Sequence, residues 1–363
     1  MAAEGIHVVS GYGIKLYVER GHLVIHDGIG RDRGTIRLNR ATSRLKRLVV
    51  IGHTGFVTLE ALRWIRDVGA AFVQIDRDGN LIAASAPERL HESKLRRAQV
   101  LAAESEVGRQ ATIELLRAKL EGQADLVEHR LAHLRPTVTH DDRTAIAVAE
   151  AIREQADAMH AELSYAELRK LESIAGRYYW QTWARVPIRF DLSWGGATPE
   201  HWRRAGARTS RIDRQWPRRA ITPAHAFLNY GYAVLETEAL IASYALGFDP
   251  SLGLMHADVR YRGGLAIDLM EPLRPLVDER VLDRLEEREL SRGDVLETPR
   301  GVCRVGPRLA RELAGLGPEL RSAVAPHGER LARRLLRAPN HPTPLTRRRH
   351  REALARAFVV SGS

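Results

Sequence analysis

Two hydrophobic periodicities divide the chain. Between residues 6 and 84 the apolar positions come in short runs: "KLYVER" and "HLVIHDG" flank Gly21, "RLKRLVVIG" ends in an apolar run, and "AAFVQIDRDGNLIAA" carries an Asp-Gly turn signal between two more. Short β-branched runs separated by Gly and Asp predict strands and hairpins. One helix interrupts them. In "TLEALRWIRDVG" the residues Leu59, Leu62 and Ile65 have helical spacing, Thr58 is placed to cap the start and Gly69 to end it.

From about residue 87 the period lengthens, and "PERLHESKLRRAQVLAAESEVGRQATIELLRAKLEGQADLVEHRLAHL" predicts helical segments broken near Gly108 and Gly122. The next helix, in "SYAELRKLESIAGRYYWQTWARV", opens on Ser164 and Glu167, the spacing of a capping box. The stretch "WGGATPEHWRRAGARTSRIDRQWPRRAITP" has no clear period and reads as a long basic loop, a feature that in compact domains is functional or disordered. "AHAFLNYGYAVLETEALIASYALG", set between Pro223 and Gly247, is apolar on most sides and predicts a helix buried in a bundle. "ERVLDRLEERELSRG" and "PRLARELAGLGPELRSAVAPHGERLARRLL" predict amphipathic helices, and no internal repeat is present. The expected fold is α+β: a small N-terminal β-rich domain with one short helix over residues 1–86, a larger all-α helical domain over 87–340, and a basic tail, expected to be flexible, over 341–363.

Composition narrows the class. At 363 residues and 44% hydrophobic content the chain can build more than one core. It has no run of about 18 apolar residues, and its start lacks a basic segment followed by an apolar one, so a soluble, cytoplasmic protein without membrane contact is expected. Cys303 is the only cysteine, which excludes an intrachain disulfide and a thiolate-cluster metal site. A bound metal must therefore use His, Asp and Glu. Basic residues outnumber acidic ones, 56 to 45, and only five are lysines. That excess fits a protein that grips phosphates; a GC-rich genome would also favour arginine.

A few ionisable groups sit in apolar company. On the helix opening at Ser164, Glu172 falls on the face formed by Leu168, Leu171, Ala175, Tyr178 and Tyr179. A carboxylate there needs compensation, from an arginine or from a metal ion. His256 follows Leu254 and Met255, where it is either a hydrogen-bonded core residue or a ligand. Asp268 and Glu271 lie among Ala, Ile, Leu and Met, and their spacing allows two readings: a capping box followed by Pro272, or two carboxylates aimed at one spot. Together one imidazole and three carboxylates suit Mg²⁺ or Mn²⁺, which prefer oxygen ligands and keep positions open for water and phosphate; structural zinc would call for more His or Cys. Arginines crowd around these acids, and Trp194, Trp202 and Trp216 are interleaved with those of the loop. Such a loop can track a nucleic acid and stack on its bases, or can simply be solvated.

Three blocks then carry a resemblance. "LESIAGRYYWQTW", "PAHAFLNYGYAVL" and "LGLMHADVRYRGGLAIDLMEPLRPLVD", in this order and spacing, resemble the signatures of the CRISPR-associated integrases, the Cas-one endonucleases of the adaptation complex. Including the N-terminal strand pattern and "LRAKLEGQADL", the likeness spans roughly residues 6 to 335. It implies that Glu172, His256 and Glu271 are metal ligands, with Asp268 in or beside that set, and that Arg218, Arg219, Arg260, Arg262 and Arg274 hold DNA phosphates. It also implies insertion of new spacer DNA by attack of a DNA 3′-hydroxyl on a phosphodiester. Double-stranded and branched DNA would be the substrates. The protein would work as a homodimer joined to a small ferredoxin-fold Cas-two partner, with the β-rich domain making those contacts. Cys303 takes no part in that chemistry and reads as a small buried hydrophobe. A transposon-type integrase outside CRISPR and a non-catalytic nucleic-acid binding protein are the alternatives.

Overall fold

A computed structural model describes residues 6–27, 34–52, 54–76, 81–85, 93–132, 144–196, 198–207, 219–256 and 263–337. The fold is α+β, as the two periodicities predict. Strands β1 (Ile6–Ser10), β2 (Ile14–Glu19), β3 (His22–His26), β4 (Thr35–Asn39), β5 (Arg47–Ile51), β6 (Gly55–Val57), β7 (Ala71–Ile75) and β8 (Leu81–Ser85) make two four-stranded sheets. One has the order β1-β5-β7-β8, parallel except for β8; the other has the order β4-β3-β2-β6. The β2–β3 hairpin turns on Arg20 and Gly21, both at positive φ, which matches the right-handed twist of the strands. The Asp-Gly signal between β7 and β8 lies outside the described residues.

Strand β5 is buried on both faces, and the alternation of its side chains sends them into two cores. Leu48 and Val50 join Val9, Phe72, Leu16, Ile25, Trp64 and Ile65 in the core between the sheets and helix α1 (Leu59–Asp67). Val49 and Ile51 join Val73 and Ile75 in the core of the helical part. The first sheet is thus a partition shared by both. Thr58 caps α1 and Gly69 follows its end at positive φ, as the sequence predicts. The buried stripe differs: Ala61, Trp64 and Ile65 face inward while Leu59 is 85% exposed. The helix is rolled so that the Trp64 indole is buried and its Nε1 donates to the Gly21 carbonyl at 2.9 Å, and the larger aromatic decides which face goes in.

The helical part contains α2 (Ser93–Ala102), α3 (Glu106–His129), α4 (Ala145–Asp157), α5 (Tyr165–Trp183), α6 (Pro223–Leu246), α7 (Gly264–Met270), α8 (Arg274–Glu287), α9 (Pro307–Ala314) and α10 (Gly317–Arg337). Helix α3 starts where Ser105 caps it and then runs unbroken through both Gly108 and Gly122, so the break expected near Gly122 is absent. The Ser164–Glu167 capping box of α5 forms in full. Helix α6 is buried on most sides, starts at the Thr222 cap and stops at Gly247. Its Gly231 is needed for packing: a Cβ there would come within 2.5 Å of Val277 Cγ1 on α8. The strands β9 (Val295–Glu297) and β10 (Cys303–Val305), three residues each and too short for a period, form a hairpin that the sequence does not announce. Among the described residues no helix is long and apolar enough to cross a membrane.

The loop after α5 holds two single 3₁₀ turns, and Trp194 and Trp202 are buried there rather than open to bases. Both pack on Phe190 and donate their indole N–H groups to the carbonyls of Leu290 and Ile221 at 2.9 and 3.0 Å. With ring and polar edge both satisfied internally, they serve the core. Cys303 is buried, as expected. Trp216, Arg218 and the tail 341–363 lie outside the described residues.

A buried ion pair crosses from sheet to bundle. Arg47 of β5 is 2% exposed and Glu238 of α6 is 0% exposed; Arg47 Nη2 donates to Glu238 Oε2 at 2.9 Å, and Arg321 Nε reaches the same oxygen at 3.4 Å. Removing one partner strands a buried charge, whereas removing both does not. Arg47→Leu is therefore expected to lower unfolding stability by about 3 kcal/mol in urea titration, and Arg47→Leu/Glu238→Leu to recover most of it. A double variant at least as unstable as the single one would refute this account.

Candidate active site

The stretch "GLAIDLMEPLRPLVD" folds as α7, a single 3₁₀ turn (Glu271–Leu273) and α8, with Pro272 and Pro275 at the second positions of the turn and of α8. The capping-box reading of Asp268 and Glu271 does not hold. Asp268 lies inside α7, Glu271 opens the turn, and neither start has a side-chain cap. Both acids are buried, at 2% and 3% exposure, and they point to different partners.

Asp268 serves the histidine. Its Oδ1 lies 2.6 Å from His256 Nδ1, and its Oδ2 accepts from the backbone N–H of Leu254 at 2.5 Å and of Met255 at 3.3 Å. With Nδ1–H donated to the carboxylate, the Nε2 lone pair of His256 is free to act as a ligand. The turn leading to His256 is held from α2. Gln99, 1% exposed, donates Nε2 to the carbonyls of Asp249 and Leu252 at 2.7 Å each and accepts from Asp249 N–H at 3.0 Å. The loop also presses onto α7 at Gly264, where a Cβ would come within 2.5 Å of the His256 carbonyl.

Glu271 serves a cation. Arg274 Nε donates to its Oε1 at 3.0 Å, and Lys119 Nζ from α3 lies 2.7 Å from its Oε2. That second contact gives the buried Oε2 its charge compensation. The same Lys119 ammonium pairs with Glu172 from α5. Two carboxylates 99 positions apart in the chain thus meet at one positive charge. Burial alone would raise the Glu271 pKa, but Arg274 and Lys119, with a smaller contribution from His256, outweigh it and hold the carboxyl at about 2. Burial likewise opposes the Lys119 charge, and Glu271 and Glu172 overcome it and move that pKa upward.

Behind this cluster, the Arg274 guanidinium lies 4.8 Å over the Tyr232 ring. The Tyr232 hydroxyl donates to Asp278 of α8, and so does the Tyr179 hydroxyl, at 2.6 Å. Arg274, expected on DNA phosphates, is engaged with the site's own carboxylate and aromatic ring. Arg219 is half-buried just ahead of α6; Arg218, Arg260 and Arg262 lie outside the described residues.

The four acid and imidazole residues singled out from the sequence are therefore grouped as two pairs, His256 with Asp268 and Glu172 with Glu271, and Lys119 bridges the second. They do not close as a set of three ligand atoms within 4.8 Å. Among the described residues the set that does is Asp125, Glu128 and His129 on α3, where Arg153 already pairs with Asp125 at 2.8 Å and Glu128 at 2.7 Å. The sequence reading missed Lys119, Gln99, Tyr179, Tyr232 and Asp278. For Lys119 a signal existed: in an arginine-rich chain one of five lysines falls on the apolar stripe of Leu116, Leu120 and Ala124.

The Glu271 pKa, about 2 against an ordinary 4.5, sets a pH window. A depressed carboxylate pKa stabilises the fold fully above the unfolded value, and the contribution is lost as pH falls through the folded one. In chelator, the stability gap between wild type and Glu271→Gln should hold steady above about pH 5 and close as pH approaches 2. A gap that widens on acidification would contradict the ion-pair assignment.

Comparison with known proteins gives a consistent lineage. The chain is 28% identical to the CRISPR-associated endonuclease Cas1 1 of Archaeoglobus fulgidus over 333 residues, which is 90% of this chain and 91% of that protein. Its fold is similar to that of a casposase bound to integration product, with a TM-score of 0.71 at 20% identity, covering 93% of this chain and 94% of the other. It is also similar to a CAS1 protein from Thermotoga maritima, with a TM-score of 0.68 at 16% identity over 92% of this chain and 98% of the other. Residues 7–314 match the family described as CRISPR associated protein Cas1, and the chain belongs to that family.

Proposed function

We propose that this chain is a metal-dependent DNA endonuclease and integrase that inserts new spacer DNA into CRISPR arrays, acting in the cytoplasm. The observation that carries the reading is the meeting of Glu172 and Glu271 at one cationic position, beside a histidine that Asp268 holds by Nδ1. Glu172, Glu271 and His256 Nε2 would hold Mg²⁺ or Mn²⁺. The donor set fits, being oxygen-rich with one imidazole, and Glu172 and Glu271 already share one cation. A divalent ion there supplies charge neutralisation on a phosphodiester and activation of the attacking oxygen.

The chain's own residues supply positioning. Asp268 fixes the ring orientation and tautomer of His256, as carboxylate partners of ligand histidines do, and so it belongs behind the ligands rather than among them. Arg274 orients Glu271 from its seat on Tyr232. The attacking group is a DNA 3′-hydroxyl, so no protein nucleophile is needed, and the buried Cys303, its thiol pKa raised by burial, is suited to none. Arg260 and Arg262 follow His256 closely in sequence, and Arg218 and Arg219 precede α6; these supply phosphate contacts to double-stranded or branched DNA. Family membership supports a homodimer joined to a small ferredoxin-fold Cas-two partner, with the β-rich part making those contacts.

Cleavage of branched DNA with Mn²⁺ tests the site. Glu172→Ala, His256→Ala and Glu271→Ala should each lose at least about 100-fold in rate while DNA affinity changes only a few-fold. Asp268→Asn should lose roughly 10–100-fold, partly restored by excess Mn²⁺, because it acts through the histidine. Undiminished cleavage by both His256→Ala and Glu271→Ala would end the assignment. For the phosphate contacts, Arg260→Ala and Arg262→Ala should weaken binding evenly across DNA sequences and each reduce the salt slope by about 1 in filter-binding titrations. A change confined to one DNA sequence would argue against a phosphate role.

A further inference from the structure

We propose that the Lys119 ammonium is a built-in counter-ion of the active site: it occupies the position between Glu172 and Glu271 in the metal-free protein and is displaced when the divalent metal enters. The inference rests on the metal-site reading given above and adds to it a residue that the sequence signatures leave without a role.

Two observations support it. First, Nζ contacts both carboxylates, and the Lys119 side chain is 10% exposed, so this is an internal charge and not a surface pair. Second, the three groups come from α3, α5 and the turn after α7, so the contact joins side chains remote from one another in the chain. The neighbouring Arg274 is different in kind. Its planar guanidinium is fixed between Glu271 and the Tyr232 ring, whereas a lysine is a compact charge on a flexible stem that can swing aside.

Without a cation, the half-buried Glu172 and the buried Glu271 face one position and repel each other. Lys119 offsets that repulsion and keeps the site assembled before metal arrives. Like charges at one position exclude each other, so metal binding is an exchange for the ammonium rather than an addition to an empty site. Lys119 therefore stabilises the metal-free fold and weakens metal affinity at the same time.

Two measurements test this. In Lys119→Met, metal-free melting should fall by at least about 5 °C. The Mn²⁺ dissociation constant by calorimetry should tighten by about tenfold, within the range of coupled binding events. An unchanged or weaker Mn²⁺ affinity in this variant overturns the proposal. The second measurement uses the wild-type chain and needs no variant to be stable: with only five lysines, ¹⁵N-lysine NMR resolves the ammonium groups, and Lys119 is the protected one, lost in Lys119→Arg. Saturation with Mg²⁺ should shift that signal or open it to exchange. If calorimetry shows Mg²⁺ bound while the Lys119 signal stays put, this proposal alone falls. If wild type and Lys119→Met both fail to bind Mg²⁺ and Mn²⁺, the metal-site reading falls and takes this one with it.

Discussion

A buried charge must find its opposite or the fold pays several kcal/mol for each ion. In this chain that constraint acts on Glu271, 3% exposed, and on Lys119, 8% exposed, and it dictates how α3, α5 and the α7–α8 junction sit against one another. Lys119 satisfies Glu271 and Glu172 together, and Arg274 supplies the second positive charge. The three elements cannot slide or rotate without uncovering a charge. A site that must hold acidic groups close together in a low-dielectric interior is thereby kept in register by the electrostatics that make it difficult to build.

The surroundings of the cluster reinforce it with further hydrogen bonds. Tyr179 and Tyr232 converge on Asp278, and the Tyr232 ring supports Arg274, so α5 and α6 are both tied to α8. On the other side, Gln99 fixes the turn before His256 and Asp268 fixes the ring itself. Each of these bonds restrains the side chain it reaches, which is what orients a ligand side chain. The two acids that the sequence presents as a pair divide the work: Asp268 orients the imidazole, and Glu271 faces the cation.

The same principle appears where sheet meets bundle. Strand β5 belongs to both cores, and its Arg47 reaches Glu238 on α6 in full burial. Because one face of the first sheet is part of the helical core, the β-rich and helical parts are joined by apolar packing as well as by charge. Helix α6 is the common element. It carries Glu238 toward the sheet, Tyr232 toward the active site, and Gly231 where Val277 of α8 leaves no room for a side chain.

Much of the architecture was already written in local pattern. Short apolar runs gave the strands, Thr58, Ser164 and Pro223 gave helix starts, and the all-round apolar "AHAFLNYGYAVLETEALIASYALG" gave the central helix, because these signals depend on neighbours a few positions away. The motif blocks also named Glu172, His256, Asp268 and Glu271. What sequence left open depended on groups remote in the chain. Whether Asp268 and Glu271 cap a helix or turn inward was decided by His256, Arg274 and Lys119. Whether Trp194 and Trp202 face bases or the core was decided by Phe190 and two distant carbonyls. The compensating partner of Glu172, expected to be arginine or metal, is a lysine 53 positions earlier. Periodicity says which face of an element is apolar, but only tertiary structure says which opposite charge will be waiting there, because that pairing is a property of two surfaces and not of one.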